Sequence, residues 1–347
     1  MKWNGIYHVV FLGYLGIFAG GRQYSTCIPG TQHFFYIPFT HTTMPLYQLG
    51  QTLEQIHESP FKLEREIQNL IEQNLKTLLH LDIVSSEFSL HKFRLDTLAF
   101  DPETKSFVII EYKRDKNFSV IDQGYAYLAL MLNNKADFIL EFNEKKNQTL
   151  KRTDVDWSQS KVVFVSPMFT TYQREAINFK DLPIELWEVK RFANNTVSFE
   201  QIQRAANVES IKTISKNDDT VEAVSQEVHV YTEQDHTQKV DIETRELYEQ
   251  VKERILNLGD SITVNARKQT IGFRVNNTIF CDIVLQGKGL KIYANLKSGE
   301  LDDPKAVARD VSTIGHWGNG SYEIKLADLD DIDYIMSLLV QALRRNG

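Results

Sequence analysis

Residues 94–113 read Arg94-Leu95-Asp96-Thr97-Leu98-Ala99-Phe100-Asp101-Pro102-Glu103-Thr104-Lys105-Ser106-Phe107-Val108-Ile109-Ile110-Glu111-Tyr112-Lys113. Two apolar runs flank a turn. Asp101-Pro102 opens that turn and polar residues close it, which is turn chemistry. Phe107 to Ile110 is a continuous apolar run, the pattern of a strand buried on both faces. An acid and a lysine at its far end break that pattern, because such groups are rarely buried unless paired. Strand residues two apart share a face, so Glu111 and Lys113 point the same way. Antiparallel pairing across the turn brings Asp96 beside them. Two carboxylates and an ammonium on one sheet surface suit a divalent cation and phosphodiester hydrolysis. The plainer reading of Glu111 to Lys116 is a solvated strand end.

Around this hairpin the periodicity predicts a helix over Phe61–Leu79, with Leu63, Ile67, Leu70, Ile71, Leu75 and Leu78 on one face. Ser59-Pro60 opens it. A strand is expected at Ile83–Leu90. A second helix is expected at Ser119–Leu132, with Ser119 as its cap and Asp122 three residues later. Strands are expected at Ala136–Phe142, Lys161–Val165, Glu185–Val189 and Thr196–Glu200, and a helix at Tyr172–Asn178.

This order, with Asp on the second strand and E-x-K on the third, resembles the PD-(D/E)XK nuclease superfamily. The segments Arg94-Leu-Asp96 and Ile110-Glu-Tyr-Lys113, followed by Gln123-Gly-Tyr-Ala-Tyr127, look most like its NucS-type and Holliday-resolvase-like branch. The resemblance covers about residues 60–200, and Leu95 replaces the usual proline. It implies a restriction-endonuclease-like mixed sheet flanked by helices, and a Mg²⁺ (or Mn²⁺) ion held by Asp96, Glu111 and the Tyr112 carbonyl. Lys113 would orient the attacking water and steady charge at the phosphate, and Gln123 would position a water or a phosphate. Glu64 matches an acid that some members use as a further ligand; an exposed helix acid is the favoured reading. Tyr125 and Tyr127 read as packing residues. Arg94, Arg114 and Lys116 are candidates for gripping nucleic acid, as are the basic residues near Lys145 and Lys151.

The 347-residue length suggests two domains. Net charge is −7, which argues mildly against a nucleic-acid partner, although distribution matters more than the sum. The two cysteines, Cys27 and Cys281, form no disulfide framework and no zinc pattern. Residues 1–43 hold Lys2, Arg22 and no acid. Val9–Ala19 imitates a signal peptide and is too short to span a membrane. The expectation is that Met44 is the natural start, with residues 1–43 an over-extended gene start and the protein cytoplasmic; real export is the alternative.

Residues 44–205 then form the nuclease-like domain, 206–239 a polar linker, and 240–347 a small α+β domain. In the last, helices are expected at Thr244–Leu258 and Asp330–Arg345. Between them an antiparallel meander runs over Ser261–Val264, Thr270–Val275, Thr278–Gln286 and Leu290–Leu296, with turns at Asn276-Asn277 and Gly287-Lys-Gly289. Over about residues 240–346 the chain resembles an uncharacterised bacterial domain sometimes labelled a predicted transport protein, and the stretch from Leu301 to Gly320 is the most specific part of the match. Nothing of span length supports that label. Arg309, Asp310, His316 and Trp317 are a candidate pocket, against the plainer reading of a structural turn.

The expected function is a Mg²⁺-dependent nuclease acting on nucleic acid, with DNA favoured, no membrane partner, and a homodimer as one option. The alternative is an inactive nucleic-acid-binding or regulatory (defence) module whose C-terminal domain senses a ligand or partner.

Overall fold

The computed structural model describes residues 45–114, 118–204, 209–211 and 218–347. Lys116 and the proposed upstream extension lie outside them. The chain divides into two compact units after Gln55. At the start of the described chain, β1 (Leu46–Leu49) pairs with β2 (Leu53–Ile56) in a small ribbon.

The rest holds two six-stranded sheets. Before the first come helices α1 (Glu64–Gln73) and α2 (Leu75–Leu79). They replace the single helix expected over Phe61–Leu79. Asn74 interrupts it with non-helical backbone, and its side-chain amide donates to the Leu70 carbonyl at 2.8 Å, a local bond that competes with the helix ladder. The hairpin follows as β3 (Asp82–Leu90), β4 (Phe93–Asp101) and β5 (Ser106–Tyr112). Every residue of β5 is buried, as its unbroken apolar run requires.

Helices α3 (Val120–Asn133) and α4 (Lys135–Lys146) carry the chain over to β6 (Lys161–Ser166), which pairs parallel with β5. A parallel step needs such a crossover. Ser119 caps α3 by accepting from the Asp122 amide. The strand expected at Ala136–Phe142 is instead α4. Its aromatic content suggests a strand, but only Phe138 and Phe142 are buried in it. That spacing of four is a helix face. A short helix α5 (Thr171–Ala176) leads to β7 (Ile184–Arg191) and β8 (Val197–Gln201), completing the order β3-β4-β5-β6-β7-β8.

This sheet is covered on both sides. One face packs on α1, with Ile67, Ile71, Val108, Ile110 and Val163 in one cluster. The other packs on α3 and α4, with Phe107 and Ile109 against Leu128 and Phe138. The segment expected as a polar linker contributes here too: within it, α6 (Asp219–Glu227) buries Val221 and Val224, and Val228 follows, in this same cluster. Three valines among polar neighbours are enough for an amphipathic face.

After α7 (Glu233–Thr237) and α8 (Ile242–Leu256) comes the second sheet. Its strands are β9 (Thr263–Ala266), β10 (Ile271–Val275), β11 (Thr278–Leu285), β12 (Leu290–Ala294), β13 (Arg309–Asp310) and β14 (Tyr322–Leu326), in the order β13-β14-β12-β11-β10-β9. All pairs are antiparallel. Asn276 and Asn277 both adopt positive φ, as a tight hairpin turn demands. The closing helix α9 (Ile332–Asn346) joins α8 in the core on this sheet. The molecule is thus a mixed α/β protein with two helix-flanked sheets. No helix of the described residues is long and apolar enough to cross a membrane.

Two substitutions test the packing. Phe107 is fully buried, with ring contacts to Phe100, Phe138, Phe142 and Trp157, so Phe107→Ala is expected to cost about 3–5 kcal/mol in urea unfolding. Gly320 sits at φ +84°, and a Cβ there would lie 2.2 Å from the Ala294 carbonyl oxygen. Gly320→Ala is expected to destabilise by at least about 2 kcal/mol in the same assay.

Candidate acidic cluster

The β4–β5 register pairs Thr97 with Ile110. One step further sets Asp96 opposite Glu111, and directly opposed residues share a face. That face is the one Phe107 and Ile109 turn toward α3. The Tyr112 amide donates to Asp96 Oδ2 at 3.0 Å, which fixes the carboxylate at the strand end. Asp96, Glu111 and Lys113 are therefore brought together on one side of the sheet.

Glu111 is only 4% exposed. Its Oε1 accepts from Lys113 Nζ at 2.7 Å and from Gln123 Nε2 at 2.9 Å. Its Oε2 is buried and has no hydrogen-bond partner among the described residues. Such an oxygen is costly to leave unmet. Asp96 feels this neighbour. Burial first, and then the Glu111 charge, push its carboxyl up to about 6, against the opposing pull of the Tyr112 amide and the Lys113 ammonium. Two acids in one partly desolvated place raise each other's pKa. The Lys113 ammonium also lies 5.8 Å from the centre of the Phe118 ring, so its charge is steadied from a second side.

Gln123 comes from the first turn of α3, and its amide also contacts the Tyr127 hydroxyl at 2.9 Å. Tyr127 has more than a packing role. Its ring is largely buried and its hydroxyl orients Gln123, with burial and the Glu111 charge holding the phenol well above its ordinary pKa. The signal was present in the sequence as the four-residue spacing from Gln123, which stacks the two on one helix face.

The remaining candidates are placed differently. Glu64 Oε1 accepts from the Arg114 amide at 2.9 Å. No group of three or more His, Cys, Asp or Glu suited to a metal forms among the described residues, so Glu64 does not join Asp96 and Glu111; it ties down the chain just past Lys113. The Tyr112 side chain turns to the other face, where its hydroxyl meets Thr97 at 3.1 Å. Arg94 pairs with Glu87 at 3.0 Å, and Arg65 shares the same carboxylate at 3.1 Å. The Arg114 guanidinium donates to the Lys62 carbonyl.

The C-terminal candidates build a turn. The His316 ring stacks on Tyr293, with both nitrogens 2.8 Å from carbonyls, those of Ile314 and Gly320. Asp310 accepts from Ser298 and from the Ser312 amide. Trp317 is 66% exposed. A Cβ at Gly318 would strike the Tyr293 ring at 2.3 Å, which explains the glycine. Arg309 and Asp310 are both exposed, on a two-residue edge strand.

Residues 233–345 match the model of a family described as a domain of unknown function, DUF5655. Among solved structures, a repair endonuclease from Pyrococcus abyssi aligns at TM-score 0.20 and 13% identity, over 38% of this chain and 60% of its own. An EndoMS–dsDNA complex aligns at TM-score 0.21 and 14% identity, over 42% of this chain and 64% of its own. The chain thus spans less than two thirds of either endonuclease. An uncharacterized protein of Haemophilus influenzae (strain ATCC 51907 / DSM 11121 / KW20 / Rd) is 52% identical over 293 residues, covering 84% of this chain and 96% of that protein. At that identity and coverage, the chain belongs to the same family as the Haemophilus influenzae protein.

Proposed function

We propose that the chain is a metal-dependent nuclease that hydrolyses phosphodiester bonds of nucleic acid, with DNA the favoured substrate and Mg²⁺ or Mn²⁺ the cofactor. One observation carries the reading: Glu111 has one oxygen fixed by Lys113 and Gln123 and the other buried without a partner among the described residues, on the face it shares with Asp96.

The residues suit such an ion. Asp96, Glu111 and the Tyr112 carbonyl are all oxygen donors, as a hard cation prefers, and Mg²⁺ commonly takes only one or two carboxylates and keeps several waters. When bound, the ion would acidify a water and screen the charge that develops on the phosphate oxygens. The chain's own groups do the rest. Glu111 holds the Lys113 ammonium at the rim, where it donates to a phosphate oxygen as negative charge builds there. Gln123, with its amide pinned by Tyr127, orients a water or a phosphate oxygen. Arg94 and Arg65 share Glu87, and backbone phosphates would compete for them, giving binding that weakens with salt.

Two experiments test the reading. Lys113→Ala is expected to lower Mg²⁺-dependent cleavage of duplex, branched or single-stranded DNA by at least about 10³-fold while leaving metal binding by calorimetry intact. Asp96→Ala is expected to remove both, and wild-type cleavage by the two variants would end the assignment. The acid pair also sets a pH dependence in chelator-treated protein. The folded-state carboxyl of Asp96 lies near 6, above its ordinary value, so the folded state binds the extra proton. Stability must then fall as pH rises from about 4 to about 6. Asp96→Asn is expected to remove that fall and to gain roughly 1–2 kcal/mol at pH 7, read by urea unfolding at each pH.

A further inference from the structure

A cavity of about 380 Å³ lies between the first sheet and the second, away from the acidic cluster. Its walls come from the β4–β5 turn, the start of β6 and β7, and the β9–β10 hairpin. Its volume falls in the range of small-molecule sites. No residue of the proposed nuclease cluster lines it.

The charges on these walls are unequal. Lys76, Lys161, Arg204, Arg267 and Arg274 face Asp101, Glu103 and Glu185. Most of the cations are engaged. Lys161 pairs with Glu185 at 2.7 Å, Lys76 with Asp82 at 2.8 Å, and Arg267 with Glu103. Arg204 donates to the carbonyls of Phe179, Leu182 and Ile184. Arg274 stands apart. No carboxylate lies within ion-pair distance of it among the described residues. Its Nη1 donates to Asn277 Oδ1 at 3.0 Å. Its Nη2 meets the Asn265 amide oxygen at 2.8 Å once that amide is turned to face its donors, and the same oxygen then accepts from Arg267 Nε at 3.1 Å. The Arg274 Nε–H is buried with no partner among the described residues. Glu185 and Asp101 act on this guanidinium only at a distance, and a largely desolvated guanidinium with no carboxylate in contact is unfavourable. Its planar edge is shaped for an oxyanion.

We propose that this cavity binds a small phosphate-bearing molecule of about mononucleotide size, anchored on the guanidinium of Arg274. A phosphate monoester brings about −1.5 to −2 charges at pH 7 and three acceptor oxygens. It meets the excess of positive charge and the unpartnered N–H together, whereas a carboxylate brings one charge. The site takes walls from both sheets, so the ligand fastens the second sheet to the first.

The test uses the full chain and calorimetry with AMP, inorganic phosphate, adenosine and citrate. Binding of AMP, with adenosine silent, is the expected result; saturable binding of inorganic phosphate alone would place a phosphate on Arg274 without a nucleoside and overturn the size assignment. Arg274→Lys keeps the charge, loses the fork, and is expected to weaken AMP at least tenfold. Should that variant fail to fold, Asn265→Asp puts a carboxylate in direct contact with Arg274, and is expected to abolish AMP binding while raising the melting temperature. Wild-type AMP affinity in either folded variant, citrate binding as tight as AMP, or no binding of any probe overturns the proposal.

Discussion

The pairing of β4 with β5 is the constraint from which the acidic cluster follows. Side chains alternate along a strand, so the register alone decides whether Asp96 meets Glu111 or turns its back on it. Here Thr97 opposes Ile110, and the next pair falls on the two acids. The bond from the Tyr112 amide to the Asp96 carboxylate secures that pair where the regular ladder ends. The apolar run of β5 makes the register hard to change. With Phe107 and Ile109 packed against α3 and α4, and Val108 and Ile110 against α1, a slip of one residue would exchange both sets.

Much of this was legible in the chain. The continuous run Phe107–Ile110 suited a central strand, and every residue of that strand is buried; its charged end broke the apolar pattern. Asn276-Asn277 marked a hairpin turn whose positive φ angles two asparagines tolerate. What misled was composition where spacing mattered. Ala136–Phe142 is rich in residues that favour strands, yet its two buried aromatics stand one helical turn apart. The polar segment before residue 239 hid three valines whose burial pins α6 against the first sheet's core.

The candidate cluster was legible in its acids and lysine, and less so in its supports. Gln123 was visible through the motif. The hydroxyl of Tyr127 was not, since a tyrosine on a helix usually packs. Glu64 shows the converse: a carboxylate near a motif holds the backbone just beyond it. The stretch around His316 looked chemical because histidine, tryptophan and aspartate crowd together. Its logic is steric: an imidazole between two carbonyls, a glycine under a tyrosine ring and another with left-handed backbone. Asn319 extends that turn toward the rest of the protein, donating to the fully buried Asp282 and to Glu103.

Strand β4 begins near the acidic cluster and ends at Asp101, on the cavity wall. At about 3.4 Å per residue, the two aspartates stand roughly 17 Å apart on one stiff ribbon. Length changes in the turn after Asp101 leave the spacing of the two ends intact. An insertion or deletion within Thr97–Phe100 would rotate one end against the other and disturb both at once. Relatives that keep both features should therefore hold the number of residues between these aspartates fixed, whatever happens to the loops on either side.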